Sequence, residues 1–276
     1  MSQPTIRKQR IRRSSVKVRL IVFGTLAVLL ILFSVFSEQL TPYDPYLQDL
    51  SNAKAPPSAE HLLGTDRYGR DMLSRVIVGS RTSIFSTLLL VAVITVLGTA
   101  VGVFCGWNGR WMDTVLMRIS DMFLAFPGLV FALAVAGSLG GGLQNAILAL
   151  AAISWPKYAR IARSQTLAQK ETVWMKAAKM SGSSSGKLIF KHILPNIIGP
   201  ILVTAMLDIG TMMMELAALS FLSLGAKPPT AEWGSMMTTS PWITFSPGIA
   251  IFISVMVFNL LGDTIRDYAD PKSRGR

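Results

Sequence analysis

The feature that most constrains this chain is a series of long apolar stretches with few or no charged residues. A helix needs about 20 mostly apolar residues to cross a bilayer. Six segments reach or approach that length: 20–37, 82–107, 122–139, 143–162, 197–224 and 247–262. The composition agrees, because 51% of the residues are hydrophobic and only 15% are charged, whereas soluble domains carry about 25% charged residues. The sequence therefore predicts an all-α, polytopic membrane protein with six transmembrane helices.

Two of these segments are irregular. Pro127 interrupts the third, and proline breaks or bends a helix. The fourth is apolar only over 143–155, which is too short to cross a bilayer alone. We expect it to continue to Ala162, with Lys157 and Arg160 extending toward the lipid headgroups.

The distribution of Lys and Arg predicts the orientation. If the N-terminus is cytoplasmic, 21 of the 27 cations fall in cytoplasmic segments, as the positive-inside rule requires. Both termini are then cytoplasmic. The predicted division is a basic cytoplasmic segment 1–19, a first transmembrane helix 20–37, an extracytoplasmic loop 38–81, a five-helix core 82–262 containing a cytoplasmic loop 163–196, and a cytoplasmic tail 263–276.

The sequence contains no recognisable catalytic or metal-binding motif. Cys105 is the one cysteine, and His61 and His192 are the two histidines, so no Cys/His cluster can form. Residues 182–188, GSSSGKL, resemble a phosphate-binding loop but have three residues rather than four between the glycines, and Leu188 where Ser or Thr is needed. We therefore expect this chain to have no catalytic residues and to bind no metal and no cofactor.

Two functions other than transport are compatible with parts of the sequence. An intramembrane enzyme could use paired acids, but no HExxH motif is present. A membrane-anchored nucleic-acid binder could use the cations of residues 7–13, although cations beside a first span are what orientation alone requires. We therefore expect no nucleic-acid partner.

Three glycines recur at every fourth residue of the second span: Gly98, Gly102 and Gly106. Such a ridge of small residues lets a neighbouring helix approach closely. This pattern predicts helix packing rather than a binding site.

The fifth span carries two acids, Asp208 and Glu215, which are seven residues apart and so lie on roughly one helix face. Charges at membrane depth are costly and usually face a cavity or a partner. The pair is a candidate for a water-filled translocation pathway or for a buried, hydrogen-bonded role. Met212 lies between them and is a further candidate, although core packing better explains a run of three methionines.

The cytoplasmic loop has the most organised pattern. Residues 174–180 form a short amphipathic segment, 182–186 a glycine-bounded turn, and 187–193 a second helical start before Pro195. The small Ala177 and Ala178 would let this segment press into a groove on a partner. On the other side of the membrane, residues 64–75 combine glycines with paired charges, typical either of a connector or of a surface that contacts an extracytoplasmic protein.

These cytoplasmic residues resemble a known motif. Lys176-Ala177-Ala178, then Gly182, then His192 to Asn196 (HILPN) match the spacing of the EAA loop of permease subunits of bacterial ABC importers, with Lys176 where that motif has Glu. Further stretches are similar to the C-type permeases of dipeptide, oligopeptide and nickel importers: LLGTDRYGRDMLSR, MDTVLMRISDMFLAFP, YARIAR, LSFLSLGAKPPTAEWG and FNLLGDTIRDYADP. LDIGTMM, PTAEWG and AIFISVMVFN look most like the nickel permease.

The resemblance implies a type I ABC importer permease fold in the bacterial cytoplasmic membrane. It also implies a heterodimer with a second permease, two ATPase subunits that bind ATP and magnesium, an extracytoplasmic substrate-binding protein, and a surrounding lipid bilayer. The implied substrate is nickel as a chelate, with dipeptides or oligopeptides as the alternative. The implied ATPase-coupling loop includes Lys176, Ala177, Ala178, Gly182, His192, Leu194 and Pro195.

Overall fold

The computed structural model describes residues 4–237 and 241–269. Within these ranges the regular structure is helical, and the only strand-like pairing is an isolated bridge between Thr65 and Asp71. The α-helices in chain order are α1 (Pro4–Val35), α2 (Met72–Asn108), α3 (Arg110–Ala125), α4 (Gly128–Ser138), α5 (Leu143–Lys170), α6 (Val173–Met180), α7 (Ser185–Leu188), α8 (Leu194–Phe221), α9 (Trp233–Met236) and α10 (Pro241–Ala269). A π-helical turn, Ile189–Ile193, joins α7 to α8.

Four helical segments of the described chain are long and apolar enough to cross a membrane. They lie in α1, in α2, in the continuous helix Ser185–Phe221, and in α10. The helices α3 and α4 meet at an angle of 95° beside Pro127 and would make a fifth if they formed one broken span. The helix α5 has 28 residues and is long enough, but it is not apolar enough to be counted with them. The predominantly helical fold agrees with the prediction, while the six spans and the cytoplasmic position of both termini remain predictions.

The helix boundaries differ from those expected at several points. The helix α2 begins at Met72, within the predicted outer loop 38–81, because the Asp71 side chain accepts a hydrogen bond from the Ser74 amide, at 2.8 Å, and so caps the helix. The first helix ends at Val35 and gives way to a 3-10 turn. The helix α5 continues to Lys170, beyond the predicted end of the fourth span at Ala162, and the position of the cytoplasmic loop 163–196 remains a prediction.

The helices α2 and α5 make the most extensive contact in the described chain, and the glycine ridge lies in it. A Cβ atom added at Gly98 would lie 2.5 Å from the Trp155 carbonyl oxygen. One at Gly102 would lie 2.7 Å from the Ala162 Cβ, and one at Gly106 2.8 Å from the Thr166 Cβ. These distances are too short for real carbon atoms, so glycine sets how closely the two helices approach.

The segment before α2 is held by charged side chains. The Arg70 Nε donates to Asp66 at 2.7 Å, and Arg75 lies 3.6 Å from the same carboxylate. Arg75 also donates to the Pro45 carbonyl at 3.0 Å. Gly64 and Gly69 both have positive φ, and at Gly69 a side chain would overlap the backbone of Asp49. The first turn of α2 is therefore joined to this segment by the Arg75–Asp66 ion pair and by the hydrogen bond from Arg75 to Pro45.

Candidate functional site

The short helix α6 presents an apolar face away from the protein. Met175 is buried and Ala178 is partly buried, and these two residues attach the helix to the rest of the chain. On the opposite face the side chains of Val173 and Met180 are 85% and 89% exposed, and Ala177 is exposed between them. A helix that faced only water would carry polar residues there. This outward face is thus available for a partner.

Gly182 ends α6 in a left-handed conformation, with φ of 79°. The Ser183 amide donates to the Ala178 carbonyl at 3.2 Å, and the Gly182 amide donates to the Lys179 carbonyl at 3.1 Å. These two bonds form a Schellman motif, which satisfies the last carbonyls of a helix. The glycine that the sequence pattern singled out therefore sets where α6 stops and how the chain turns.

The chain then returns to the membrane through α7 and the π-helical turn. Leu188 and Ile193 are buried, and Leu194 and Pro195 are the first residues of α8. The His192 ring is 5.6 Å from the Trp174 ring, centroid to centroid. His192 thereby connects α6 to the start of α8.

Lys176, which replaces the glutamate of the EAA motif, has an acidic partner within its own chain. Its Nζ is 2.9 Å from Glu171 Oε2, and both side chains are exposed. The hydrogen bond from Lys176 and its positive charge hold the pKa of Glu171 below the usual range. Lys176 is therefore paired within its own chain, five residues from Glu171.

Asp208 of α8 is buried, and both of its carboxylate oxygens accept hydrogen bonds from side chains of α5. Lys157 Nζ is 2.5 Å from Asp208 Oδ1, and the Tyr158 hydroxyl donates to Asp208 Oδ2 at 2.9 Å. Both carboxylate oxygens thus have partners, an arrangement that favours the buried, hydrogen-bonded role over the pathway role. Met212 is also buried, among core residues.

Glu215 has a different environment from Asp208. Its side chain is partly exposed, and no cation of the described chain lies within 4 Å of its carboxylate. The charged groups that act on it are those of Asp208 and Lys157, which already pair with each other. The two acids that the sequence placed together therefore have different environments.

Sequence reasoning missed the ion pairs that α5 makes. Lys157 and Arg160 were predicted to reach the headgroups, but Lys157 binds Asp208 and Arg160 pairs with Asp121 of α3. The Arg163 Nε and Nη2 atoms donate to Asp113 of α3 at 2.5 and 2.6 Å. The sequence signal for these pairs was the spacing of three residues between Lys157, Arg160 and Arg163, which places the three cations along one side of a helix.

A cationic cavity of about 110 Å³ opens beside the first turns of α2. Its charged lining residues are Asp66, Arg67, Arg70, Arg75 and Lys227. Nearby, Glu232 caps α9 by accepting from the amides of Gly234 and Ser235 at 2.9 and 2.8 Å. Burial raises the pKa of Glu232, and these hydrogen bonds oppose that rise.

Several known proteins are similar to this chain along most of its length. It is 41% identical to the dipeptide transport system permease protein DppC of Alkalihalophilus pseudofirmus, over 88% of this chain and 83% of that protein. It is 42% identical to the probable D,D-dipeptide transport system permease protein DdpC of Escherichia coli, over 92% of this chain and 87% of that protein. It is 38% identical to the glutathione transport system permease protein GsiD of Pectobacterium atrosepticum, over 90% of this chain and 85% of that protein.

The fold is also similar to that of a solved structure, an inward-facing conformation of the MetNI methionine ABC transporter. The TM-score is 0.58 at 17% sequence identity, and the match covers 72% of this chain and 98% of the other. At this identity the likeness shows the fold alone.

The family model that matches describes the "binding-protein-dependent transport system inner membrane component", and it covers residues 98–275. The helix α6, the glycine ridge of α2 and both acids of α8 lie within that range. Proteins of this kind are not themselves enzymes, because ATP hydrolysis takes place on separate ATPase subunits. The chain belongs to this family of inner membrane components and is a permease subunit of an ABC importer.

Proposed function

We propose that this permease carries short peptides across the bacterial cytoplasmic membrane. The observation that carries the proposal is the set of three relatives, 38–42% identical over most of the chain, whose names specify dipeptides, D,D-dipeptides and glutathione. The sequence motifs favoured nickel. The relatives support the peptide alternative instead, since none of these three is named for a metal.

The outward face of α6 is the proposed contact with an ATPase subunit. Val173, Ala177 and Met180 would enter an apolar groove on that subunit, and Gly182 would fix the turn that follows. Because Met175 and Ala178 attach α6 to the rest of the chain, a movement of the ATPase would be transmitted to the ends of α5 and α8. ATP and magnesium would be bound by the ATPase subunits and not by this chain.

The remaining partners follow from the same proposal. A second homologous permease would complete the pathway as a heterodimer, and two ATPase subunits would bind on the cytoplasmic side. An extracytoplasmic substrate-binding protein would contact the segment before α2, near the cationic cavity. Both termini would be cytoplasmic, six helices would contact the lipid bilayer or one another, and no nucleic acid would be involved.

Uptake by whole cells tests the proposed cargo. Cells that contain the complete importer are compared with cells that lack only this chain, using labelled alanyl-alanine, labelled glutathione and radioactive nickel. We expect energy-dependent uptake of at least one peptide, lost without this chain and restored by its gene. Restoration of nickel uptake with no effect on either peptide would refute the proposal.

A further inference from the structure

The two acids of α8 differ in whether they have partners. Asp208 accepts hydrogen bonds from Lys157 and Tyr158 on its two oxygens. Glu215 lies seven residues further along, about 10 Å along the helix axis at 1.5 Å per residue. No ion pair within the described chain involves Glu215. Its carboxylate therefore has no cationic partner in the described chain, whereas that of Asp208 is paired with Lys157.

Glu215 borders an uncovered face of α8. Thr211 and Met214 are exposed, Ala218 is partly exposed and Leu222 is half exposed. These positions recur at intervals of three or four residues, so they form one stripe. The other sides of α8 pack against α10, α2 and α5. No other helix of the described chain covers this stripe, so it is open to a molecule outside the chain.

The chemistry of the stripe limits what can lie against it. A carboxylate at membrane depth is unfavourable against lipid, so such groups face water, a cavity or a cation. The cargoes named for the three relatives share one cationic group, because dipeptides, D,D-dipeptides and glutathione each carry a free ammonium. An ammonium donates charge-assisted hydrogen bonds to a carboxylate.

We propose that Glu215 binds the ammonium group of a peptide as it crosses the membrane, and that Asp208 has no contact with the substrate. This inference rests on the proposed peptide function and identifies a substrate contact within it. A single carboxylate gives a weak site, which suits a pathway that must also release its cargo. The neutral Lys157–Asp208 pair lies two turns away and holds α5 against α8.

The experiment measures peptide binding to the assembled importer in lipid nanodiscs, without the substrate-binding protein. The probes are alanyl-alanine, which has a free ammonium, and N-acetyl-alanyl-alanine, which lacks it. Saturation-transfer NMR gives the affinity of each for the wild type and for Glu215→Gln. We expect the variant to bind alanyl-alanine about tenfold more weakly, a loss of about 1.4 kcal/mol, and the acetylated peptide with unchanged affinity.

Two variants serve as controls. Glu215→Asp keeps the charge and should retain most of the affinity for alanyl-alanine. Glu38→Gln removes a carboxylate that pairs with Arg81 in an exposed position, and it should bind both probes as the wild type does. Native mass spectrometry of each variant reports whether the two permeases remain associated.

Two outcomes would overturn the inference. Equal binding of alanyl-alanine by the wild type and Glu215→Gln would show that the carboxylate does not contact the ammonium. Dissociation of the permease pair in Glu215→Gln would assign the carboxylate to a cation of the partner permease. Either result leaves the proposed function standing if cells still take up peptides, whereas absence of peptide uptake by the wild type would refute the function itself.

Discussion

At the scale of single residues, Gly182 shows how one backbone angle can determine a predicted site. A Cβ atom added there would meet nothing within 4 Å, so the requirement for glycine comes from its positive φ alone. We expect Gly182→Ala to destabilise the end of α6 by about 1–2 kcal/mol and to lower transport, and Gly182→Asn to do so less, since asparagine tolerates this conformation better.

Gly186 provides the matched control for this prediction. It lies in α7, has no positive φ, and a Cβ atom there also meets nothing within 4 Å. Gly186→Ala should therefore leave peptide uptake and peptide-stimulated ATP hydrolysis unchanged. If Gly182→Ala and Gly186→Ala behaved alike in both assays, the left-handed cap would have no role in coupling.

At Gly102 glycine is needed for a different reason: there is no room for a side chain, although the backbone conformation is one that any residue can adopt. A methyl group there would overlap the Ala159 carbonyl oxygen and lie 2.7 Å from the Ala162 Cβ. Overpacking of this kind costs about 1–3 kcal/mol. We expect Gly102→Ala to lower the thermal unfolding temperature in detergent, while Gly137→Ala, at an open position of α4, should not. Equal unfolding temperatures for the two variants would contradict the close α2–α5 contact.

At the scale of elements, α6 tests the proposed ATPase contact. Ala177→Glu places a charge in the centre of the exposed apolar face. We expect it to abolish co-purification of the ATPase subunits, and with it uptake, without changing the unfolding temperature of the permease, because Ala177 is exposed. Ala168→Glu makes the same change at an exposed position of α5 and should retain the ATPases. If Ala168→Glu lost the ATPase subunits and Ala177→Glu retained them, the ATPase contact would not lie on α6.

The elements that could be predicted from the sequence are those determined by local patterns. The amphipathic segment of α6 and the turn at Gly182 are formed by neighbouring residues, and the glycine ridge follows from a spacing of four. The partner of Asp208 could not be predicted, because Lys157 is 51 residues away in the chain and charge spacing on α5 does not reveal which helix it faces. The start of α2 at Met72 could not be predicted from hydropathy, because hydropathy marks the apolar run and not the Asp71 cap before it.

At the scale of the whole molecule, cysteine labelling tests the predicted topology. Cys105 is the only cysteine and is buried, so Cys105→Ser gives a background without reactive thiols. In that background, Glu60→Cys should react with a membrane-impermeant maleimide in intact cells, and Ser185→Cys only after permeabilisation. The reverse labelling pattern would show that the chain has the opposite orientation in the membrane, with α6 on the side where no ATPase subunit could contact it.

The central claim is that this permease imports peptides and that ATP hydrolysis is coupled to import by contact between an ATPase subunit and the exposed face of α6. It is tested most directly by measuring peptide accumulation and ATP hydrolysis together in proteoliposomes containing the whole importer and its substrate-binding protein. We predict that alanyl-alanine or glutathione accumulates with stimulated ATP hydrolysis in the wild type, and that Ala177→Glu abolishes both while Ala168→Glu retains both. Accumulation of nickel but of neither peptide, or wild-type coupling in Ala177→Glu, would contradict the claim.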